Sequence, residues 1–308
     1  AEEAVAEHDF SKSPLYRSIG GVWNFYWTAN ATDPQPVEFW SPKFDDSAWG
    51  KMPVPGLWEM NGYGVPIYVN TGYIWDNYFI DNPPFTPDWR NHVGLYRHEV
   101  EVPAEWKGKQ LFVHFGSVTS NMTLYINGKE VGYSEDSKLE AEFDITKFVK
   151  FGEKNLFAME VHRFCDGSYL EDQDFWRLSG FDRGVKIYSV DDVRIADAFV
   201  IADLDKGYKS GLLDARVTLE NSGKEPFSGV AELFLVDAKG LSIVNQKREV
   251  AINGGASLEL TFTKVVAKVK QWSDEHPNLY TTVVVLRSDT GEVVEATSVR
   301  TGFRKVEI

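Results

Sequence analysis

Alternating apolar and polar positions recur along the chain, whereas the spacing of an amphipathic helix is nearly absent. In residues 213–219, Leu213, Ala215, Val217 and Leu219 alternate with polar side chains, which is the two-residue period of a half-buried strand. Four further strands are predicted at residues 230–236, 257–262, 280–286 and 293–299. The connections between them carry turn residues, DAKG at 237–240, NGG at 253–255 and DTG at 289–291. Short strands joined in this way predict an immunoglobulin-like sandwich for residues 192–308.

Strands and turns also dominate the earlier part of the chain. Strands are predicted at residues 111–115, 122–125, 130–133, 155–164 and 185–188. Asn127-Gly128 connects two of them and favours a type I′ hairpin turn, because both residues adopt positive φ at little steric cost. Residues 143–146 predict the start of a helix of about one turn, with Asp144 as its N-cap.

Regular alternation of apolar and polar residues begins after Asp191-Asp192, and we place a domain boundary there. The predicted domains are residues 1–191 and 192–308, each long enough to bury a core of its own. Nine of the ten tryptophans lie in the first domain and only Trp272 lies in the second. We therefore expect ligand binding in the first domain.

Composition narrows the possible partners. The 32 basic and 46 acidic residues give a net charge of −14, which disfavours nucleic acid and anionic membrane surfaces as partners. Cys165 is the single cysteine, so an intrachain disulfide is excluded. No run approaches the ~18 consecutive apolar residues of a membrane span. The chain begins AEEAVAEHDF, which fits either a mature form after signal removal or an excised piece; periplasm and cytoplasm both stay open, with periplasm favoured.

The common catalytic motifs are missing. The sequence has no GxSxG nucleophile elbow, P-loop, GxGxxG fingerprint or HExxH zinc motif. Its six histidines show no i, i+4 pairing and are expected to be structural. A (β/α)₈ barrel would need roughly 250 further residues. By pattern alone, this is an all-β protein of two domains without an evident catalytic centre.

Two segments differ from ordinary sandwich loops. The first runs from residues 66–73 to residues 82–87 and is rich in Pro, Tyr and Asn. Long irregular loops in compact domains are often functional, and aromatic faces beside amide groups suit sugars. The alternative is a proline-rich lid over the sandwich.

The second segment is residues 166–177, which places four carboxylates, Asp166, Glu171, Asp172 and Asp174, within nine residues. Like charges this close require compensation. One interpretation is bidentate pairing with three nearby arginines, Arg163, Arg177 and Arg183. The other is a hard cation held by carboxylate oxygens.

These segments resemble the start of the large bacterial β-galactosidases of glycoside hydrolase family 2. The matching runs are VPGLWEMNGY at 54–63, PIYVN at 66–70, NPPF at 82–85, GYSEDS at 132–137, GEKN at 152–155, DGSYLEDQDFWRLSG at 166–180, WSDEHPNLY at 272–280 and GFR at 302–304. The likeness extends from about Trp23 to Ile308, and the run at 166–180 is long enough to be very specific. Residues 181–184 and the loop at 73–81 depart from the family pattern.

The resemblance implies a jelly-roll sugar-binding domain, then an immunoglobulin-like domain, then a catalytic (β/α)₈ barrel that this sequence does not include. The family's retaining mechanism uses two glutamates ~5 Å apart. Both belong to the barrel, so no catalytic residue is expected in this chain. Magnesium is likewise expected in the barrel and not here.

Two positions carry over from the family. Asn70 matches the loop asparagine that hydrogen-bonds the galactosyl unit, and Asp174 matches the aspartate that contacts galactosyl hydroxyls and helps to hold a sodium ion. An amide both donates and accepts hydrogen bonds, and a carboxylate is a hard oxygen ligand. This chain is therefore expected to be the non-catalytic amino-terminal part of a β-galactosidase. The whole enzyme would act on terminal β-galactosyl residues, and this part would contribute to the galactosyl subsite and brace the barrel.

Three alternatives remain open from the sequence. The chain could be a self-sufficient carbohydrate-binding module, part of a sibling hydrolase such as a β-glucuronidase or β-mannosidase, or scaffold only, with Asp174 tied to an arginine. The resemblance also implies a homo-oligomer for the full-length protein.

Overall fold

Strands make up nearly all the regular structure of the computed structural model, which describes residues 10–75, 78–171 and 173–307. Within these ranges the helices are single 3-10 turns at Phe10–Lys12, Glu59–Asn61, Ala104–Trp106 and Asp166–Tyr169. None of them has the length and hydrophobicity of a membrane-spanning helix. The all-β class predicted from the sequence is confirmed. The chain divides into two compact units, one of Arg17–Ser189 and one that contains the residues from Val190 onward together with residues 10–16.

The first unit is a jelly-roll sandwich built from short strands. The strands are β1 (Tyr16–Ser18), β2 (Gly21–Thr28), β3 (Gly50–Val54), β4 (Gly56–Leu57), β5 (Ile67–Val69), β6 (Val93–Glu101), β7 (Gln110–Phe115), β8 (Val118–Thr119), β9 (Asn121–Ile126), β10 (Lys129–Glu135), β11 (Ala141–Asp144), β12 (Lys154–His162), β13 (Phe175–Arg177), β14 (Gly180–Phe181) and β15 (Val185–Val190). One large sheet has the order β10-β9-β12-β6-β2-β3 and the other β1-β15-β7-β11. Two small sheets, β13-β5 and β4-β14-β8, lie outside these two.

Tryptophan packing dominates the core of the first unit. The side chains of Trp23, Trp58 and Trp106 are at most 1% exposed to solvent. The indole N–H of Trp23 donates to the carbonyl of Ile19 at 3.1 Å, and that of Trp58 donates to the Tyr96 hydroxyl. Large aromatic side chains bring much apolar area into the core, and the two hydrogen bonds satisfy their polar atoms. Together with Trp75, these buried tryptophans account for four of the nine tryptophans of the first domain.

The hairpin at Asn127-Gly128 forms as predicted. It joins β9 to β10, whose first pair is Ile126 with Lys129, and its two turn residues have φ of 52° and 84°. Asn and Gly tolerate this left-handed conformation best, which is why the sequence signal was reliable.

The predicted helix at residues 143–146 is wrong. Phe143 and Asp144 belong to β11 and pair with Val113 and Phe112 of β7. The Asp144 carboxylate does accept the backbone N–H of Thr146 at 2.9 Å, as an N-cap would, but only a turn follows. Pairing with a neighbouring strand, which the local sequence does not reveal, decided the conformation.

The second unit is the immunoglobulin-like sandwich. Its strands are β16 (Val193–Leu204), β17 (Ser210–Asn221), β18 (Phe227–Val236), β19 (Ser242–Ile252), β20 (Ala256–Ala267), β21 (Tyr280–Ser288) and β22 (Val293–Thr301). They form a sheet of order β16-β17-β20 and another of order β19-β18-β21-β22. The alternation predicted in β17 is confirmed, because Leu213, Ala215, Val217 and Leu219 are all buried in the core of this sandwich.

Two strands of this sandwich have no clear sequence signal. In β19 only Val244, Val250 and Ile252 are buried, and the intervening residues are mostly exposed. In β16 a register shift between Ile195 and Asp197 interrupts the alternation. A bulge and a mostly polar strand both erase the two-residue period on which the prediction depends.

Candidate functional site

The two unusual segments of the sequence pair with each other. Strand β5 lies in the first segment and β13 in the second, and they form an antiparallel ladder. Phe175 stands opposite Val69, Trp176 opposite Tyr68, and Arg177 opposite Ile67. The two strands are more than one hundred residues apart in sequence, so only the tertiary structure reveals that they pair.

A second contact joins the same segments farther along. The hydroxyl of Tyr169 donates to the carbonyl of Phe85 at 2.8 Å and accepts the backbone N–H of Asn82 at 3.0 Å. Trp75, which is fully buried, packs its ring edge to face against Tyr169 and Phe164. The proline-rich segment is therefore packed onto the second segment at both of its ends; Asp76 and Asn77 lie outside the described residues.

Asn70 and Asp174 lie at the same end of the β5–β13 ladder. Asn70 directly follows β5 and Asp174 directly precedes β13, each one position beyond the Val69–Phe175 pair. Both residues are exposed. Because side chains alternate along a strand, both continue the face on which Tyr68 and Trp176 stand.

That face combines aromatic and polar groups. The Tyr68 hydroxyl donates to Oδ1 of Asp174 at 2.7 Å, and this hydrogen bond raises the pKa of Tyr68. The rings of Tyr68 and Trp176 lie 5.4 Å apart, and their side chains are 50% and 59% exposed. An exposed aromatic pair beside an amide and a carboxylate offers a sugar both an apolar surface and hydrogen-bonding partners. We call Tyr68, Asn70, Asp174 and Trp176 the ladder face.

The opposite end of the ladder is anchored by a buried ion pair. Arg163 and Glu59 have side chains only 2% and 0% exposed, with Nη2 and Oε1 3.7 Å apart. Arg163 Nη2 donates to the carbonyl of Val65 at 2.6 Å, two residues before β5 begins. Glu59 accepts the backbone N–H of Ser179 at 2.8 Å and its hydroxyl at 3.0 Å, two residues after β13 ends. One buried pair thus holds both strands.

Glu171 of the acidic run is compensated by hydrogen bonds from a serine, whereas bidentate arginine pairs were one interpretation of the sequence. Glu171 accepts the backbone N–H of Ser137 at 2.7 Å and also its hydroxyl. Arg163 is engaged with Val65 and Glu59, and Arg183 donates to the carbonyls of Gly116 and Lys138.

The guanidinium of Arg177 donates to the backbone carbonyls of Glu171 and Gln173. Asp174 points outward to Tyr68, and Asp172 lies outside the described residues. An Asp174 paired with an arginine and turned inward would support the scaffold alternative; instead its side chain is exposed and accepts a hydrogen bond from Tyr68.

Metal-ligating groups come together at one other place among the described residues. A carboxylate oxygen of Glu135, the thiol of Cys165 and a carboxylate oxygen of Asp166 lie within 4.8 Å of one another. Burial raises the pKa of the Cys165 thiol, so the thiol stays protonated and is a poor ligand. The two carboxylates suit a hard cation, but they supply fewer oxygens than a full coordination sphere needs. The ladder face contains one carboxylate, that of Asp174.

Sequence reasoning named Asn70 and Asp174 but missed the residues that surround them. Tyr68, Trp176 and Glu59 lie inside the matching motifs, but the motifs alone assign them no role. A charged residue inside the otherwise apolar and turn-forming run at 54–63 was the available signal for Glu59.

Comparison with protein families gives matches over almost the whole described chain. The model described as "Glycosyl hydrolases family 2, sugar binding domain" matches residues 16–191, and the model "Glycosyl hydrolases family 2" matches residues 193–304. Among curated proteins, the chain is 36% identical over 308 residues to a β-galactosidase of Priestia megaterium, and 37% identical over 300 residues to one of Vibrio cholerae. These alignments cover 100% and 95% of this chain but only 30% and 28% of the relatives.

Solved structures show the same fold. A β-glucuronidase of Bacteroides uniformis superposes with a TM-score of 0.76 at 20% identity, over 94% of this chain and 32% of that one. A glycosyl hydrolase family 2 member of Bacteroides cellulosilyticus gives 0.72 at 20% identity, over 94% and 36%. The chain therefore spans about one third of these structures and slightly less of its curated relatives.

Proposed function

Since the chain belongs to glycosyl hydrolase family 2, we propose that it is the non-catalytic amino-terminal part of a β-galactosidase that releases terminal β-galactosyl residues. The curated relatives that match 95–100% of the chain at 36–37% identity are β-galactosidases, which supports this specificity within the family. Those relatives are about three times as long, so the retaining chemistry with its two glutamates falls to a barrel outside this chain. This chain alone is expected to be inactive.

The observation that carries the proposal is the ladder face. Asn70 and Asp174 are brought to one exposed end of a two-stranded ladder, next to two exposed aromatic rings. The Asn70 amide donates and accepts hydrogen bonds at once, as adjacent sugar hydroxyls require. The Asp174 carboxylate uses one oxygen for Tyr68 and keeps further acceptor capacity for a galactosyl hydroxyl and for a sodium ion. These residues are proposed to complete a galactosyl subsite whose other groups come from the barrel.

The test uses this chain expressed together with a family 2 barrel. Asp174→Ala and Asn70→Ala are expected to lower kcat/KM for a β-galactoside by about 10- to 100-fold, as lost hydrogen bonds to charged and neutral groups allow. Asp174→Ala should also abolish the dependence of activity on sodium. Asp289→Ala, which changes an exposed turn carboxylate of the second unit, is the matched control. Unchanged kinetics together with unchanged sodium dependence would refute the role of Asp174.

A carbohydrate-binding module is a second candidate, and the exposed Tyr68–Trp176 pair favours it, because such rings stack on sugars without help from a barrel. Titration of the isolated chain with galactosides separates the two. Micromolar or tighter binding supports the module, whereas binding that appears only when the barrel is present supports the subsite.

A further inference from the structure

A polar groove of about 680 Å³ lies on the large sheet of the first unit, separate from the ladder face. Its floor is formed by Asn24 and Arg97, which stand opposite each other on β2 and β6, and by Leu156 on β12, opposite Glu99. The volume falls within the range of ordinary small-molecule pockets, ~300–1,000 Å³.

Buried hydrogen bonds fix one wall of this groove. Arg97 is 5% exposed, and its Nε donates to Asp46 Oδ2 at 2.7 Å. The same guanidinium donates to the carbonyls of Ser41 at 3.0 Å and Phe44 at 3.3 Å. A side chain with this many partners holds the loop before β3 in one place, so this wall is preformed.

The other wall is fixed by a pair of amides. Asn155, which is fully buried, accepts the backbone N–H of Lys150 at 2.7 Å and donates to its carbonyl at 2.9 Å. Asn127 donates to Asn155 at 2.8 Å and to the carbonyl of Phe148 at 2.9 Å. The amides therefore bind the β9–β10 hairpin to the segment that carries Lys147–Lys150, and they too define a fixed shape.

The charge of the groove is opposite to that of the chain. Its lining contains five cationic side chains, Arg97, Lys129, Lys147, Lys150 and Lys154, against two carboxylates, whereas the whole chain has a net charge of −14. Both carboxylates are already paired, Asp46 with Arg97 and Glu99 with Lys154 at 3.0 Å.

Two lysines of the groove differ from the others in their lack of an acidic partner among the described residues. Across residues 10–75, 78–171 and 173–307, no carboxylate lies within ion-pair distance of the Lys129 or Lys147 ammonium group. Lys147 instead lies over the ring of Phe148 at 5.1 Å.

We propose that this groove binds an anionic saccharide, one that carries a carboxylate or a sulfate group. Ammonium groups donate hydrogen bonds and cannot accept them, so the ligand must present acceptors, and the excess of positive charge selects anionic ones. Pro42, Phe44 and Phe148 supply apolar surface between the charges, which suits the faces of a sugar ring. This site is independent of the proposed galactosyl subsite.

The experiment is calorimetric titration of the full chain with three probes: a sulfated, uronate-containing chondroitin disaccharide, neutral diacetylchitobiose and inorganic sulfate. The sulfated disaccharide is expected to bind, more weakly at higher salt, and the neutral disaccharide is not. Lys129→Gln/Lys147→Gln should weaken binding by about tenfold or more, since hydrogen bonds to charged groups are the strong ones. Lys107→Gln/Lys224→Gln removes two exposed lysines outside the groove and should leave binding unchanged.

Three results would overturn the proposal. The first is equal affinity of the groove variant and the control variant. The second is failure of the sulfated disaccharide to bind. The third is binding of inorganic sulfate as tightly as the disaccharide, because the groove would then recognise a free anion only. Thermal melting of each variant establishes that both pairs of surface substitutions leave the fold intact.

Discussion

Tyr68 donates its hydroxyl hydrogen to Oδ1 of Asp174 at 2.7 Å, diagonally across a ladder in which Tyr68 itself stands opposite Trp176. This bond fixes the carboxylate to a neighbour that the sequence places more than one hundred residues away. Its consequence is that Asp174 has a defined orientation although it is exposed.

Replacing Tyr68 by Phe tests whether the fixed orientation of Asp174 contributes to activity. Tyr68→Phe removes one exposed hydrogen bond, so the stability of the chain should change by less than about 1 kcal/mol. In the polypeptide that includes a barrel, kcat/KM for a β-galactoside should fall severalfold, because Asp174 is no longer held in place. Steady-state kinetics measures kcat/KM, and urea denaturation measures the free energy of unfolding. A large loss of stability with unchanged kinetics would assign Tyr68 a structural role only.

The Arg163–Glu59 pair is expected to contribute strongly to the stability of the first unit. Arg163→Met leaves the Glu59 carboxylate buried without its cation and should cost about 3–5 kcal/mol. Arg163→Met/Glu59→Gln should recover part of that loss, because no uncompensated charge remains. Urea unfolding followed by tryptophan fluorescence reports on this unit, since nine of the ten tryptophans precede residue 190. Equal losses in the single and double variants would contradict the coupling.

Gly180 is required by its backbone conformation and by close packing. Its φ is +103°, and a Cβ at this position would lie 2.8 Å from the carbonyl oxygen of Gly56 and 3.0 Å from Trp58 Cδ1. Gly180→Ala should therefore destabilise the first unit by about 2 kcal/mol or more. Gly184→Ala is the matched control, because no heavy atom lies within 4 Å of its added Cβ and its φ is ordinary. Similar unfolding midpoints for the two variants would show that the strain at Gly180 is relieved by movement.

Glu295 should make the second unit sensitive to pH. Burial raises the pKa of this carboxyl to about 7, although it accepts the backbone N–H of Ile195. The folded state then holds a proton that the unfolded chain releases near pH 4.5, so stability is fully present at low pH and falls as the pH rises from about 4.5 to 7.

Glu295→Gln keeps an acceptor for Ile195 and removes the titration. Above pH 7 this variant should be more stable than the parent by about 1–3 kcal/mol. Hydrogen–deuterium exchange of β16 and β22 between pH 5 and 8.5 measures the effect locally. If the protected amides of the parent protein open with the same free energy at pH 5 and at pH 8.5, the pH dependence assigned to Glu295 is ruled out.

Much of the fold was accessible from local patterns. The alternation in β17 and the Asn127-Gly128 turn depend on neighbouring residues only, and both were predicted. The helix expected after Asp144 was wrong, because a capping side chain is compatible with a turn as well as a helix, and pairing of β11 with β7 selected the strand.

The candidate site, like the fold, has some features that the local sequence determines and others that depend on the tertiary structure. By itself, the sequence determined the all-β class, the family and the identity of Asn70 and Asp174 as candidates, since these depend on residue types in fixed local order. The tertiary structure decided that the two residues share one end of a ladder, that Tyr68 orients the carboxylate, and that Arg163 and Glu59 anchor both strands. Each of these contacts joins segments far apart in the chain, and the pairing of distant strands is settled by the packing of the whole domain, which no local pattern encodes.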